Sequence, residues 1–338
     1  MLGIAVIGAG HWGPNLIRNF HDRVESEVVL VVDSDEEKLQ PVRARFPDVR
    51  TSTAFDDALR DARVDAIAIA TPTTTHFALA KASLNAGKHV LVEKPMTTSA
   101  QEGRELEQLS ASRGLVLMVG HVFVYNDAVR RVRQYIHDRA LGNLFYIAMT
   151  RTNLGPIRGD VNVAWDLAAH DISIVNYWLA TDPVSVSATG RSWINPGLED
   201  AIFATLHYPD NVLVHLHCSW LHPRKSREVV VVGDRAMLVF DDLQLTEPIR
   251  IYDSVVTAER YIDSFASYRM AVREGDIVIP RVPGAEPLRN QCDHFLQCIR
   301  ERKKPLSGAP EGLAVVRSLE ALEHSLRSGG GEVPVASE

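Results

Sequence analysis

The stretch Ile4-Ala5-Val6-Ile7-Gly8-Ala9-Gly10-His11-Trp12-Gly13 runs a short apolar segment directly into a Gly-x-Gly-x-x-Gly loop. Pro14-Asn15-Leu16-Ile17-Arg18-Asn19-Phe20 follows with the spacing of an amphipathic helix. Strand, glycine loop and helix in that order are the context in which this motif binds a dinucleotide. Gly8 permits the tight turn, Gly10 lets the backbone approach a pyrophosphate, and Gly13 lets helix and strand pack closely. The phosphates would rest on the helix N-terminus, where unpaired N–H groups favour an anion, with His11 and Trp12 beside them. Asp33 stands about 20 residues further on, at the end of the next apolar run, where a carboxylate accepts from a ribose diol. Its charge would repel a 2′-phosphate, so NAD is favoured over NADP, although Lys38 or Arg43 is close enough in sequence to offset it.

Working outward, apolar runs recur at 28–32, 66–70, 89–92 and 115–119. Each is too short for a helix and reads as a strand buried on both faces. Helical patterns at 14–20, 36–45, 77–85 and 100–113 separate them. Alternating strands and helices imply a doubly wound parallel sheet, placed at residues 1–120. After Gly120 a helix at 127–138 precedes strand-like stretches at 144–151, 184–191, 201–208, 212–219, 228–232 and 237–240. Successive strands without intervening helices indicate a mostly antiparallel sheet in an α+β domain over 121–330. A long helix at 165–179 interrupts the series, two more at 289–302 and 311–327 end it, and 331–338 reads as a frayed tail.

Composition narrows the function classes. The 338 residues carry 36 Lys plus Arg against 43 Asp plus Glu, a net charge of −7. That balance argues against a nucleic-acid partner, which needs a basic stripe to displace counterions. No apolar run approaches the ~20 residues of a membrane-spanning helix. The first residues have neither a basic region nor a small-residue cleavage site, and three cysteines form no zinc pattern. The expectation is a cytoplasmic protein with no membrane partner. His215, His217, Cys218 and His222 crowd together in sequence. On a strand, however, His215 and His217 share one face and Cys218 takes the other, so no metal is expected.

Two further motifs carry chemistry. Glu93-Lys94-Pro95 follows the strand at 89–92, on the rim where open α/β sheets bind ligands. A lysine there can donate to a substrate oxygen and take part in acid–base work; a solvated loop lysine is the other reading of the tripeptide alone. Asp166 and His170 stand four apart on the 165–179 helix, hence on one face. The histidine suits proton transfer near neutral pH and the aspartate can orient it or grip substrate. An ordinary amphipathic helix satisfies the same periodicity.

Taken together, GAGHWG at 8–13, TPTTTH at 71–76, EKP at 93–95 and WDLAAHD at 165–171 resemble the Gfo/Idh/MocA family of sugar oxidoreductases over nearly the whole chain. The resemblance implies a Rossmann domain followed by an α+β domain whose large, open, mostly antiparallel sheet mediates association into a homodimer or homotetramer. It implies NAD as cofactor and places Lys94, Asp166 and His170 in the substrate cleft as catalytic groups. Thr71, Pro72, His76, Glu93 and Lys94 join the glycines, His11, Trp12 and Asp33 at the cofactor. Tyr125, Asn126, Asn153, Arg158 and Trp165 join the catalytic set at the substrate. Segments 8–20, 118–129 and 153–174 resemble a subgroup acting on nucleotide-linked sugars, in which the 3-hydroxyl is oxidised, as in UDP-N-acetylglucosamine 3-dehydrogenases. Arg151, Arg158 and Arg191 are then candidates for a diphosphate. The alternatives are a 3-ketosugar reductase, a cyclitol or glycoside dehydrogenase, or a non-catalytic NAD-binding regulator.

Overall fold

The computed structural model describes residues 1–260, 268–273 and 275–336. They form two compact units. The first comprises Met1–Asn126 and Ala285–Glu320, and the second Asp127–Gly284 with the chain from Ala321 onward. The division is therefore not the contiguous one expected at residue 120.

The first unit is built on β1 (Leu2–Ile7), α1 (Gly13–His21), β2 (Ser26–Val32), α2 (Glu36–Arg45), β3 (Arg50–Ser52), α3 (Phe55–Arg60), β4 (Ala66–Ile69), α4 (His76–Asn85), β5 (His89–Val92), α5 (Ala100–Arg113) and β6 (Leu117–Val119). The sheet order is β3-β2-β1-β4-β5-β6, all parallel, which is the doubly wound arrangement with its crevice at β1/β4. Ile4, Val6, Val31, Ile67, Ile69, Leu91 and Val92 are fully buried, as strands covered by helices on both faces must be. Register brings the strand ends level: Ile7 pairs with Ile69, Ile69 with Val92, and Val92 with Val119. Gly8, Ala70, Glu93 and Gly120 thus begin four loops along one carboxyl edge.

The second unit follows with α6 (Asp127–His137), β7 (Leu144–Leu154), a π-helical turn over Ala164–Ala168, α7 (Ala169–Leu179), β8 (Ser185–Arg191), β9 (Ala201–His207), β10 (Leu213–Ser219), β11 (Leu221–Gly233), β12 (Met237–Asp241), β13 (Ile249–Tyr252), β14 (Val255–Arg260), β15 (Tyr268–Arg273) and β16 (Ile277–Val278). Then come α8 (Pro287–Glu301), α9 (Ala309–Arg327) and β17 (Val333–Pro334). Nine strands form one sheet in the order β16-β13-β12-β11-β7-β10-β9-β8-β17, while β14 and β15 pair separately. All neighbours in the large sheet are antiparallel except β7 and β10. Val186, Ala188, Ile202, Ala204, Val214 and Leu216 are buried on one face. The other face shows Tyr146, Phe203 and Leu213 to solvent. The tail expected to fray instead adds an edge strand, Val333 pairing with Val186; residues 337 and 338 lie outside those described. α8 belongs to the first unit, its Phe295 meeting Phe20 of α1 edge-on at 6.3 Å. Among the described residues no helix is long and apolar enough to cross a membrane.

Candidate functional site

The glycine loop has the geometry its sequence demands. Gly8 adopts φ +97°, and a Cβ on Gly13 would sit 1.9 Å from the Gly8 carbonyl oxygen, so only glycine lets α1 approach β1. A Cβ on Gly10 would meet nothing within 4 Å, leaving its backbone open to a ligand. α1 carries no side-chain cap and no acidic residue in its first turn, which leaves its N–H groups and dipole for an anion. A groove of about 470 Å³ runs from Ala9 and Gly10 past Asp35, Lys38 and Arg45. Asp33 Oδ2 accepts from the Ala9 N–H at 2.8 Å and Oδ1 from the Asp35 N–H at 2.9 Å. The carboxylate thus fixes the loop and keeps lone pairs for a diol. Lys38 Nζ stands 3.9 Å from it, whereas Arg43 is paired with Glu36. These residues fit a dinucleotide.

Glu93 and Lys94 emerge at the carboxyl end of β5. Trp12 Nε1 donates to Glu93 Oε1 at 2.6 Å, and the Lys94 N–H donates to Oε2 at 3.3 Å. A Cβ on Gly120 would come within 2.8 Å of the same carboxylate, so glycine at the end of β6 makes its room. Burial pushes the Glu93 carboxyl up to about 7 against the opposing pull of Lys94 and the Trp12 indole. His121, buried beside them, is pushed down to about 3 by burial and by the Lys94 charge. Neither of its ring nitrogens has a hydrogen-bond partner among the described residues.

In the second unit Asp166 lies inside the π-helical turn and His170 in the first turn of α7. The plain α-helical spacing assumed from sequence therefore does not relate them; a wide turn of this kind is frequent at functional sites. Both side chains are half-buried. Asp166 Oδ2 accepts from Trp220 Nε1 at 3.1 Å, and Oδ1 lies 3.4 Å from Arg158 Nη1. Arg158 also forms a bidentate pair with Asp160, which with Asp166 holds its guanidinium above the ordinary value. Trp220 was not foreseen. Its signal was an indole N–H at a strand turn, a group that seeks an acceptor when buried.

The structure places the remaining candidate residues in different settings. Tyr125 is fully buried, with its hydroxyl 3.0 Å from Ser307 Oγ, and belongs to the core of the first unit. Trp165 is buried, and its Nε1 donates to Glu323 at 3.2 Å. The His76 ring spans the carbonyl oxygens of Pro95 and Thr71, at 2.8 and 2.9 Å, and shapes both loops. Arg151 is not available to a diphosphate, because its Nε and Nη2 both reach Asp171 Oδ1 at 2.7 Å inside the core. Arg191 is exposed and gives one N–H to the Gly190 carbonyl. Thr71 is half-buried and Pro72 and His11 are exposed near the glycine loop's edge of the sheet. Asn126 and Asn153 are half-buried, the latter donating to the Gly155 carbonyl. His217 stacks on Phe203 at 4.6 Å while Cys218 turns to Asp171 on the opposite face. Among the described residues no group of three His, Cys, Asp or Glu could hold a metal ion.

Comparison with known proteins adds the following. Residues 2–121 match the family model described as an oxidoreductase family with an NAD-binding Rossmann fold, and residues 129–239 match the GFO/IDH/MocA C-terminal domain. UDP-N-acetylglucosamine 3-dehydrogenase of Acidithiobacillus ferrooxidans is 35% identical over 196 residues, 55% of this chain and little more than half, 56%, of that enzyme. An uncharacterised oxidoreductase of Escherichia coli is 31% identical over 276 residues, covering 77% of this chain and 74% of that protein. The structure of GenD2 from gentamicin A biosynthesis, in complex with NAD, superposes with a TM-score of 0.83 at 25% identity, over 99% of this chain and 97% of that one.

Proposed function

The chain belongs to the Gfo/Idh/MocA family of NAD-binding oxidoreductases, and from that premise we propose that it oxidises a secondary hydroxyl of a nucleotide-linked sugar, the 3-hydroxyl in the first instance. Bound NAD supplies the hydride acceptor. The chain's own residues bind, orient and move protons. His170 takes the hydroxyl proton, its imidazole being suited to that exchange near neutral pH. Lys94 donates a hydrogen bond to the same oxygen and stabilises the charge that develops on it. Asp166, fixed by Trp220 and Arg158, orients the sugar. Asn126 and Asn153 are assigned to the sugar hydroxyls, and Asp33, the glycines, Trp12 and Thr71 to the cofactor. The open face of the nine-stranded sheet, with Phe203 and Leu213 exposed, is assigned to self-association.

The observation that carries the reading is the Trp12–Glu93 hydrogen bond. It ties the lysine's neighbour to the loop that receives the pyrophosphate, so cofactor site and acid–base group are built as one piece. The similarity to a UDP-N-acetylglucosamine 3-dehydrogenase supports the substrate class. The test is nicotinamide absorbance on mixing protein and NAD with UDP-, dTDP- and GDP-sugars, cyclitols and glycosides, followed by mass spectrometry of the product. Lys94→Ala and His170→Ala should each lower turnover roughly 10²–10⁴-fold while NAD still binds. Turnover near the wild-type rate in both variants refutes the assignment. Silence across the panel despite NAD binding favours the regulator.

A further inference from the structure

Trp193 and Ile194 are 64% and 54% exposed, on the loop that joins β8 to β9. Together they present an adjacent apolar pair, one of them a large ring with a polar N–H, the kind of side chain that serves as a contact surface. This loop is held firmly. Asp200, whose side chain is entirely buried, accepts at Oδ2 from the N–H groups of Trp193 at 2.6 Å and Ile194 at 2.8 Å. Asn195 Nδ2 donates to the Arg158 carbonyl at 2.9 Å, Asn162 Nδ2 donates to Glu199 Oε2 at 2.7 Å, and the Val163 N–H donates to the Glu199 carbonyl at 3.0 Å. The loop is thereby laced to the segment that carries Arg158 and leads into Asp166. A second route has the same end: the Trp220 N–H donates to the Asp200 carbonyl at 2.9 Å, and the Trp220 indole reaches Asp166. Sheet register agrees, since Ser219 at the end of β10 and Ala201 at the start of β9 share a row with Thr152 of β7.

Trp193 is therefore linked to Asp166 through Asp200 and Trp220, which suits contact with a part of the substrate distant from the reacting carbon. Arg191, two residues earlier, gives one N–H to Gly190, and a guanidinium has five donors. A planar apolar surface beside a cation matches a base followed by its diphosphate. We propose that the indole of Trp193 is the platform on which the base of the nucleotide-linked substrate stacks, which makes it a determinant of specificity. The inference rests on the nucleotide-sugar reading above and deepens it.

The test uses the NAD-loaded enzyme and Trp193→Ala beside Trp193→Phe. With the nucleotide-sugar that wild type oxidises, Trp193→Ala should raise KM roughly five- to a hundredfold, the range that base–aromatic stacking provides. Its kcat should stay within about twofold, since no reacting atom is touched. Trp193→Phe should recover most of the loss. Calorimetric titration with UDP, dTDP and GDP should show the same weakening in Trp193→Ala, while affinity for inorganic pyrophosphate is unchanged. An unaltered KM and unaltered diphosphonucleoside affinity overturn the proposal. So does an equal loss for pyrophosphate, which marks a structural role, or a change confined to oligomeric state, which makes the loop a subunit contact. If wild type oxidises no nucleotide-sugar, the function reading fails on its own, and the titration, which needs no turnover, still decides the stacking.

Discussion

Replacing Glu93 by glutamine should change how the stability of the apoprotein depends on pH. The Glu93 carboxyl is held at about 7 instead of its ordinary 4.5, chiefly by burial. A carboxyl raised in the folded state binds its proton more tightly there than in the unfolded chain. Between about pH 4.5 and 7 the folded protein therefore holds more protons at this group, and stability falls as pH rises through that window. At ~1.4 kcal/mol per pH unit the penalty of ionising the folded protein reaches roughly 3 kcal/mol above pH 7. Glutamine keeps an oxygen for the Trp12 indole and has no proton to lose. Urea unfolding of both proteins at pH 5, 6, 7 and 8, followed by tryptophan fluorescence and far-UV circular dichroism, reads the difference. The wild type should lose roughly 2.5 kcal/mol across the series relative to Glu93→Gln. Parallel pH curves for the two proteins would refute the reasoning, because they would mean that the carboxylate ionises in place without cost. Lys94→Met should steepen the wild-type loss, since the ammonium opposes the effect of burial.

Two other perturbations follow from the geometry. Gly13→Ala puts a methyl 1.9 Å from the Gly8 carbonyl oxygen; packing strain of ~1–3 kcal/mol should lower melting temperature and NAD affinity together, and a fall in neither contradicts the close approach. Asp171→Ala leaves the Arg151 guanidinium buried without its carboxylate, which should cost roughly 3–5 kcal/mol in urea unfolding, whereas Arg151→Met with Asp171→Leu should come back close to wild type.

What could be read in advance followed from apolar periodicity. Five of the six parallel strands are continuous apolar runs, but β3 is Arg50-Thr51-Ser52, a short edge strand that buries almost nothing and so leaves no hydrophobic trace. In the second unit β11 starts at Leu221, well before the Val229–Val232 run. Its first half includes Pro223, Arg224 and Lys225, and its register to β7 is irregular between Leu221 and Ser226. Polar sequence on an irregular strand has no period to detect. The candidate site is legible in the sequence as motifs and illegible as partnerships. Glycine loop, Lys94, Asp166 and His170 were visible in the chain, but whether an arginine faces a ligand or a buried aspartate is decided by tertiary contact. Arg151 is spent on the buried Asp171, whereas Arg158 pairs with the exposed Asp160 and the half-buried Asp166. The π-helical turn was hidden for the same reason, since Trp165–Leu179 has the composition of any buried helix.

The return of residues 285–320 to the first unit has a consequence for how the protein is made and cut. Val119, on the sheet's last strand, donates its N–H to the Ser307 carbonyl and accepts from the Ser307 hydroxyl; Asn290 donates to the Tyr125 carbonyl; and Phe295 meets Phe20. A ribosome must therefore add nearly the whole chain before the cofactor-binding unit is finished, and until then the edge at β6 is unpaired and apolar surface on α1 is bare. Sheet edges and exposed apolar faces of that kind are where nascent chains aggregate. A fragment ending at residue 126 inherits both defects permanently. The dinucleotide motif is contained in the first 33 residues, yet the unit that uses it is completed by residues 285–320.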